Sequence, residues 1–262
     1  MKTLNFVIPV YNESKRLNKT FKALAKGFSF VGIKLEKIIF VNDGSTDNTE
    51  SKIYNKKSQL KRALKAKIEI VSYTANRGKG YAIRQGLQAS DSDYTLFFDA
   101  DMSTPLGEFT KFLPFIEKNI DVIVGTRKNG HSTVIKHQPL YRELLGKGFT
   151  LLTNIVLNTW VTDFTCGFKA FSRQSKDAIL KRAAVDRWGY DAELIFLARK
   201  LGFSIHEKAV TWTNDERSKV NLFKALPQTL YELALIRWND MKATVKSLPS
   251  GLISLLFPPA AN

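Results

Sequence analysis

Two acidic residues, Asp99 and Asp101, follow directly after the apolar run YTLFF and are the first candidates for chemistry in this chain. Side chains two positions apart on an extended strand share one face, so both carboxylates can point to the same place and repel each other. A hard divalent cation such as Mg²⁺ or Mn²⁺ relieves that repulsion, and Ser103 can add a hydroxyl ligand. The alternative is that the two acids only cap a following helix.

A further acid, Asp43, ends the apolar run KIIFV and opens the segment NDGSTDNT. Asp43 and Gly44 suit a tight turn, and Ser45 or Thr46 can cap the next helix. A carboxylate at a strand end can also accept a hydrogen bond from a nucleobase N–H. Both interpretations of Asp43, capping and base binding, remain open.

Lys79 lies between two glycines in the segment NRGKG, just before a predicted helix. Backbone amides and a helix N-terminus favour phosphate, and Lys79 can add a positive charge. The spacing matches neither the GxxxxGK[ST] loop nor the GxGxxG fingerprint. The segment therefore indicates phosphate binding without assigning the chain to either nucleotide-binding class.

Short apolar strands and helices alternate through the first half of the chain and must position these residues. Such alternation predicts an α/β fold with a mostly parallel sheet that is covered by helices on both faces. Ligands of such sheets bind beyond the carboxyl ends of the strands, where the polar motifs fall. The predicted strands span residues 4–10, 37–41, 68–71, 94–98 and 121–127.

The second half alternates less clearly. Residues 128–140 are predicted to form a loop, and residues 141–161 a very apolar helix whose portion 149–157 packs in the core or contacts a membrane. Leucines, Trp238 and flanking cations after residue 222 indicate an amphipathic helix lying in a membrane plane. We therefore expect a catalytic domain over residues 1–221, divided at 127/128, and an amphipathic membrane-associating tail over 222–262.

The composition limits the possible classes of function. The chain has 262 residues, is 44% hydrophobic and carries a formal net charge of +16. A nucleic acid, an anionic membrane or phosphorylated substrates would suit that charge. Nucleic-acid binding leaves unexplained the polar motifs PVYNE, NDGSTD, NRGKG and DAD, which follow the first four predicted strands, so we expect no nucleic-acid partner. The single cysteine, Cys166, excludes an internal disulfide, and we expect no signal peptide and no transmembrane helix.

In order along the chain, VIPVYNE, VNDGSTDNT, NRGKGYAIRQG, FFDADMSTP and VGTR closely resemble the nucleotide-binding half of inverting family-2 glycosyltransferases. The resemblance implies the GT-A fold, a nucleotide-sugar donor and a divalent metal. TDFTCGFKAFSR, WGYDAELIFLARKLG and VTWTNDERSKV resemble the polyprenyl-phosphate (dolichyl-phosphate) sugar transferases. The glucosyl-transferring members of that group are more similar to this chain than the mannosyl-transferring ones.

The resemblance also implies roles for individual residues. Asp101 would bind the metal, with Asp99 shared between metal and donor, whereas Ser103 departs from the polar ligand common in the family. Lys79 and Asp99 would lie near the ribose and the diphosphate. The remaining donor-binding candidates are Pro9, Tyr11, Glu13 and Asp43 for base and ribose, and Lys219 for the diphosphate or the sugar.

Arg127 and Arg142 are candidates for binding the acceptor phosphate, because a guanidinium binds phosphate through two hydrogen bonds. Asp163 is our candidate for the acid beside the reacting centre. It would be a general base for a hydroxyl acceptor but only a positioning group for a phosphate monoester, which is already an anion. Asp191 and Glu193 are its rivals and can instead cap a helix.

These observations predict a metal-dependent inverting transferase on the cytoplasmic face of a membrane, attached peripherally and helped by anionic lipids. It would move a hexose, glucose before mannose, to a polyprenyl phosphate. The donor would be a UDP-sugar, with GDP-mannose as the alternative. Transfer to a soluble glycan, and a catalytically inactive membrane scaffold, are the other possibilities.

Overall fold

The structure is a computed structural model that describes residues 1–26, 30–128, 132–136, 139–214 and 222–246, without the side chains of 142, 222–225 and 246. In this part of the chain, seven strands form the main sheet in the order β3-β2-β1-β4-β7-β5-β8. The strands are β1 (Lys2–Val10), β2 (Ile33–Asp43), β3 (Lys67–Tyr73), β4 (Tyr94–Phe98), β5 (Val122–Thr126), β6 (Val134–Lys136), β7 (Phe168–Ser172), β8 (Ile205–Ala209) and β9 (Trp212–Thr213).

Helices cover both faces of this sheet, which confirms the predicted α/β class. Alternate strand residues point to opposite faces, so Phe6 and Phe98 pack on one side, and Val7 and Phe97 on the other. The helices are α1 (Leu17–Ala25), α2 (Thr49–Leu64), α3 (Lys79–Gln88), α4 (Leu113–Glu117), α5 (Leu140–Leu157), α6 (Arg173–Leu180), α7 (Tyr190–Lys200) and α8 (Leu222–Lys246), with a 3₁₀ helix over Leu106–Phe112.

The first four sheet strands pair in parallel, and β7 is antiparallel to both of its neighbours, β4 and β5. The strand order reverses between β1 and β4, because β2 and β3 lie on one side of β1 and β4 on the other. Such a reversal is where sheets of this type leave a crevice for ligands. The DAD motif at the end of β4 borders this crevice.

Helix α5 is only half buried, although core packing was one of the two alternatives for its portion 149–157. Its polar Thr153 and Asn154 are buried together with Leu157, and Asn154 bonds the main chain of Val161 at 2.8 and 2.9 Å. The large apolar side chains on the opposite face are 40% to 78% exposed: Leu140, Tyr141, Leu144, Leu145, Leu151, Leu152 and Ile155. We call this set the α5 face.

Helix α8 is the described part of the predicted amphipathic tail over residues 222–262. Leu233 and Ile236 are buried in the same cluster as α3 and α7, and the Glu232 carboxylate accepts the Gly189 N–H at 2.7 Å. Helix α8 is therefore packed against the rest of the fold through these side chains, while 247–262 lie outside the described residues. No helix in the described ranges has the length and apolar character needed to cross a bilayer.

Candidate active site

The loops at the carboxyl ends of β1 and β2 are joined by hydrogen bonds. The Asn12 N–H donates to Ser45 Oγ at 3.0 Å, and the Asn12 side-chain oxygen accepts the Thr46 N–H at 2.8 Å. The Glu13 N–H donates to Thr49 Oγ1 at 2.7 Å. These contacts confirm that the motifs following separate strands meet at one edge of the sheet.

Asp43 binds the turn between β3 and α3. Its buried carboxylate accepts hydrogen bonds from Asn76 Nδ2 at 2.7 Å, from the Arg77 N–H at 2.8 Å and from the Gly78 N–H at 3.0 Å. The amides of Arg77 and Gly78 are therefore used inside the protein, although the sequence indicated them for phosphate. Base binding by Asp43 stays a prediction, and its structural role is clear.

The two glycines around Lys79 are required by close packing against the loop before α7. A Cβ on Gly78, whose φ is +110°, would lie 2.6 Å from the Asp186 carbonyl oxygen, and one on Gly80 2.6 Å from Tyr190 Cβ. These contacts explain the glycines without a phosphate. Of this motif, the Lys79 side chain remains available to bind a ligand.

Lys79 reaches the acid pair, which we define as Asp99 and Asp101. Its ammonium nitrogen lies 2.6 Å from Asp99 Oδ1. Asp101 Oδ1 instead accepts the Ser103 N–H at 2.8 Å, and burial followed by the charge of Asp99 raises the pKa of Asp101. Asp101 is thus the acid whose charge is least compensated, which favours it over Asp99 as the ligand of a cation.

The acid pair fits a divalent ion that is also bound by substrate. The described ranges contain no group of three or more His, Cys, Asp or Glu side chains able to hold a metal by themselves. Mg²⁺ is commonly bound by one or two carboxylates together with substrate phosphates, so two acids suffice. Ser103, predicted as a third ligand, is buried and hydrogen-bonds Asp101, so it supports that carboxylate.

The predicted base- and ribose-binding residues of β1 lie at the same edge. Pro9 is paired with Val41 near the end of the strand, and Tyr11 is 42% exposed. Glu13 forms an ion pair with Arg16, whose Nη1 lies 4.0 Å from Asp101 Oδ2. The structure therefore brings Glu13 close to the acid pair and leaves Tyr11 accessible to a ligand.

Arg127 and Asp163 form a nearly buried ion pair on the other side of the cleft. Arg127 Nε and Nη2 donate to the two oxygens of Asp163 at 2.7 and 2.9 Å, and Nη2 also donates to Thr165 Oγ1 at 2.7 Å. Burial alone would raise the pKa of Asp163, but the charge and hydrogen bonds of Arg127 outweigh it and hold that pKa far below its ordinary value. Asp163 is thus suited to orient Arg127 and poorly suited to accept a proton.

The acid pair and Arg127 line the same open cleft, the acid pair at the end of β4 and Arg127 at the end of β5. Five of its lining residues were not predicted as site residues: Phe98, Thr104, Thr165, Gly167 and Trp212. The Arg127 guanidinium carbon lies 5.1 Å from the centroid of the Trp212 ring. Trp212 belongs to the segment VTWTNDERSKV, which the sequence singled out by resemblance without giving the tryptophan a role. The lining is Phe98, Asp99, Asp101, Ser103, Thr104, Arg127, Thr165, Gly167 and Trp212.

Other predicted residues lie away from the cleft or outside the description. Asp191 forms an ion pair with the buried Lys169, and Glu193 accepts the N–H groups of Ala184 and Val185 at 2.9 Å each. Both rivals of Asp163 therefore have structural partners. Arg142 belongs to α5, but its side chain is not described, and Lys219 lies outside the described residues.

Glu207 is a further residue that supports the site without any sequence signal. Its carboxylate accepts the Thr162 N–H at 2.8 Å and the Thr162 hydroxyl at 2.7 Å. Thr162 precedes Asp163 in the chain and also bonds Thr126, which precedes Arg127, at 2.7 Å. Glu207 thus holds in place the two segments that carry the Arg127–Asp163 pair.

We expect Gly167→Ala to lower kcat by about a hundredfold, as a misplacement of about 1 Å can do. An added Cβ would lie 2.2 Å from Asp99 Oδ2 and 2.5 Å from its Cγ, so the Asp99 carboxylate must shift from its present position beside Lys79. Steady-state kinetics and a melting curve measure the effect. Gly107→Ala is the control, because nothing lies within 4 Å of its Cβ position. Unchanged kcat in Gly167→Ala would contradict this assignment.

Curated relatives are similar over most of the chain. A dolichyl-phosphate beta-glucosyltransferase of Dictyostelium discoideum is 30% identical over 248 residues, covering 90% of this chain and 74% of the relative. The dolichyl-phosphate beta-glucosyltransferase of Homo sapiens is 32% identical over 250 residues, covering 90% and 75%. Both similarities span the acid pair, the cleft and the helices beside it.

Solved structures share the fold at lower identity. Glucosyl-3-phosphoglycerate synthase from Mycobacterium tuberculosis, crystallised with Mn²⁺, UDP and glucosyl-3-phosphoglycerate, superposes with a TM-score of 0.60 at 18% identity, covering 90% of this chain and 80% of that one. S. aureus TarS 1-349 with UDP-GlcNAc gives 0.56 at 20%, covering 91% and 66%. The architecture is the GT-A fold, as the resemblance implied. Because residues 5–180, more than half of the chain, match the model of glycosyl transferase family 2, the chain belongs to that family and is a glycosyltransferase.

Proposed function

We propose that this enzyme transfers a hexose, glucose in preference to mannose, from a nucleotide-diphosphate sugar to dolichyl phosphate or a related polyprenyl phosphate. The observation that carries the proposal is the cleft itself, which has the acid pair on one wall and an oriented arginine on the other. One wall suits a metal-bound diphosphate and the other a phosphate acceptor. The relatives named as dolichyl-phosphate beta-glucosyltransferases support the same substrates.

The acid-pair wall would bind the donor. Asp101, with Asp99, would hold Mg²⁺ or Mn²⁺, an ion that neutralises the charge developing on a departing nucleoside diphosphate. Lys79, paired with Asp99 at 2.6 Å, adds a second positive charge beside it. Tyr11 and Glu13 would contact the base and ribose at the end of β1, and a UDP-sugar is favoured over GDP-mannose. Pro9, Asp43 and Lys219 are the other proposed donor-binding residues.

The Arg127 wall would bind the acceptor phosphate, with Arg142 as a second candidate. Asp163 and Thr165 hold the Arg127 guanidinium in one orientation by hydrogen bonds of 2.7 to 2.9 Å. A phosphate monoester is already an anion near neutral pH and can attack the anomeric carbon without a base. The lowered pKa of Asp163 fits such an acceptor, because a hydroxyl acceptor would require a group able to take its proton.

The α5 face would dock on the membrane that holds the lipid tail of the acceptor. Lys128, the residue after Arg127, donates to the Gly146 carbonyl at 3.1 Å and to Thr150 Oγ1 at 3.0 Å, so α5 is fastened next to the phosphate-binding wall. A lipid-linked phosphate must reach Arg127 while its tail stays in the bilayer. An exposed apolar helix beside Arg127 meets that requirement.

Charge and the C-terminal region would strengthen this attachment. Trp238 and Met241 on α8 are about half exposed, and Lys242 lies 5.0 Å from the Trp238 ring. The net charge of +16 favours the anionic cytoplasmic leaflet, at about 1 kcal/mol for each well-placed Lys or Arg. Peripheral attachment through α5, α8 and residues 247–262 is therefore our proposal for localisation.

We expect the double variant Leu144→Glu/Leu151→Glu to bind anionic liposomes at least tenfold more weakly. Both leucines are more than half exposed. Moving one leucine side chain from water into the membrane contributes about 1.5–3 kcal/mol to the free energy of binding. Vesicle sedimentation measures the partition coefficient. Tyr54→Glu, a similarly exposed apolar position on α2, is the control.

Point substitutions are preferable to a deletion of residues 222–262, because Leu233 and Ile236 are buried and their loss would expose the core. Undiminished binding of the double variant would remove α5 from the proposed membrane surface.

A donor and acceptor screen tests the proposed function. Purified protein is incubated with UDP- or GDP-sugars, polyprenyl phosphate, and Mg²⁺, Mn²⁺ or EDTA, and the lipid product is followed by mass spectrometry. We expect a metal-dependent glycolipid, formed fastest from UDP-glucose. Transfer to a soluble glycan with none to polyprenyl phosphate would overturn the acceptor assignment and restore Asp163 as a candidate base.

A further inference from the structure

Lys169 is a completely buried lysine in a strand of apolar residues. Its neighbours on β7, Phe168, Ala170 and Phe171, are buried as well. The Lys169 ammonium donates to the Phe164 carbonyl at 2.8 Å and the Cys166 carbonyl at 2.7 Å, and it forms an ion pair with Asp191. An ammonium has three N–H donors, so these three acceptors use all of them.

The two carbonyls belong to a short segment that touches both walls of the cleft. We call residues 163–167 the linking segment. At one end Asp163 and Thr165 bind the Arg127 guanidinium. At the other end the Gly167 carbonyl accepts the Asp99 N–H at 3.2 Å, and the Gly167 Cα lies against the Asp99 carboxylate. The path of the linking segment therefore determines how far Arg127 lies from the acid pair.

A second connection runs through the start of α7. Lys169 forms an ion pair with Asp191, and the preceding residue, Tyr190, has its ring centroid 5.8 Å from the Lys79 ammonium nitrogen. Lys79 in turn lies 2.6 Å from Asp99 Oδ1. Removing Lys169 would release the start of α7, against which Lys79 is packed.

We infer that Lys169 is a positioning residue, which sets the distance between the acid pair and Arg127 by fixing the linking segment and Asp191. It acts through Gly167 and Asp191 and contacts no substrate. The inference rests on the proposed function, in which these two walls hold the donor diphosphate and the acceptor phosphate. Burying a lysine opposes folding unless its charge is paired, and the pairing here leads to both walls of the cleft.

The test must separate positioning from stability. Lys169→Met alone leaves the buried Asp191 without its ion-pair partner and can unfold the protein. The double variant Lys169→Met/Asp191→Asn removes both charges with little change in side-chain volume, so no buried charge is left unpaired. It also leaves the carbonyls of Phe164 and Cys166 without their donor, so the linking segment is free to shift.

Two measurements are made on the double variant after its melting temperature is shown to match the wild type. Calorimetry with UDP and Mn²⁺ measures the affinity of the acid-pair wall for UDP·Mn²⁺. Steady-state kinetics with polyprenyl phosphate measure kcat, which depends on the acid pair and on Arg127 together. We expect about tenfold weaker UDP·Mn²⁺ binding and a kcat lower by about a hundredfold. A folded double variant with wild-type binding and kcat would overturn the inference.

Lys37→Met is the matched control. Lys37 is also largely buried. Its Nζ lies 3.2 Å from Asp91 Oδ1 and donates to the Ala89 carbonyl at 3.2 Å, but Lys37 is on the first half of β2, away from the cleft. The Lys37→Met substitution should lower stability and leave UDP·Mn²⁺ binding and kcat unchanged. Turnover of the wild type with polyprenyl phosphate tests the proposed function. The role of Lys169 is tested separately, by the ratio of the UDP·Mn²⁺ dissociation constants of the double variant and the wild type, which does not depend on the sugar or the acceptor.

Discussion

Asp101→Asn is expected to lower the rate of sugar transfer by about a thousandfold while leaving the melting temperature close to that of the wild type. A bound metal that neutralises the charge on the departing diphosphate lowers the activation free energy by several kcal/mol. Each 1.4 kcal/mol of activation free energy is a factor of ten in rate. Asparagine keeps an oxygen able to accept the Ser103 N–H, which Asp101 Oδ1 accepts at 2.8 Å. The substitution therefore removes the charge and preserves the turn.

Metal dependence and binding distinguish this result from a general loss of structure. In Asp101→Asn, Mn²⁺ should no longer strengthen UDP binding in calorimetry, whereas weak metal-free binding to the base and ribose region should remain. Ser103→Ala is the control, because it removes only the hydroxyl and keeps the main-chain hydrogen bond to Asp101; we expect less than a tenfold loss of kcat. Metal-stimulated turnover retained in Asp101→Asn would refute the metal assignment.

Asp163→Asn is expected to destabilise the protein by about 3–5 kcal/mol and to lower kcat with polyprenyl phosphate by about a hundredfold. The Asp163 side chain is fully buried, and that of Arg127 is only 16% exposed, so the guanidinium would lose its balancing charge in a nearly dry site. It would also lose the hydrogen bonds that orient it. Chemical denaturation measures the stability, and initial rates on folded protein measure kcat.

The stability of the wild type should depend on pH through the same residue. The pKa of Asp163 is lower in the folded protein than the value of about 3.9 expected in the unfolded chain. The unfolded chain therefore binds the proton more readily, so the contribution of Asp163 is complete above about pH 5 and is lost as the pH falls. Denaturation from pH 6 to pH 3 should show a smaller decrease in Asp163→Asn than in the wild type.

Asp93→Asn is the matched control for both parts of this prediction. Asp93 accepts the Thr3 N–H at 2.8 Å, and this hydrogen bond, which outweighs burial, lowers its pKa as well. It lies before β4, at the end of the sheet opposite the cleft. The variant should lose some acid stability and keep full activity. Equal losses of activity in Asp93→Asn and Asp163→Asn would contradict a specific role for the Arg127–Asp163 pair.

The alternation of strands and helices was predictable because it rests on local patterns. β4 was predicted at its observed bounds, since an uninterrupted apolar run before two acids has few alternatives. The antiparallel insertion of β7 between β4 and β5 was not, because the partner of a strand depends on distant segments. The two faces of α5 were also left open, because an apolar helix has similar composition whether it packs inward or remains exposed.

In the candidate site, too, the features that depend on local patterns were predictable, and those that depend on distant segments were not. The position of Asp99, Asp101, Asp43 and Lys79 at one sheet edge follows from strand ends and parallel pairing, and was predicted. The contacts of those residues were not, and they changed the interpretation of NRGKG, whose Arg77 and Gly78 amides bind Asp43. The glycines there serve close packing against a loop about a hundred residues further along the chain.

By itself the sequence determined the fold class, the family resemblance and the acids on which a divalent cation would depend, because these follow from local periodicity and from short motifs in order. Only the tertiary structure decided that Asp163 holds Arg127, that Gly167 lies against Asp99, and that Lys169 joins the two walls of the cleft. These are contacts between segments far apart in the chain. Their energies come from burial and charge in three dimensions, which no local pattern records.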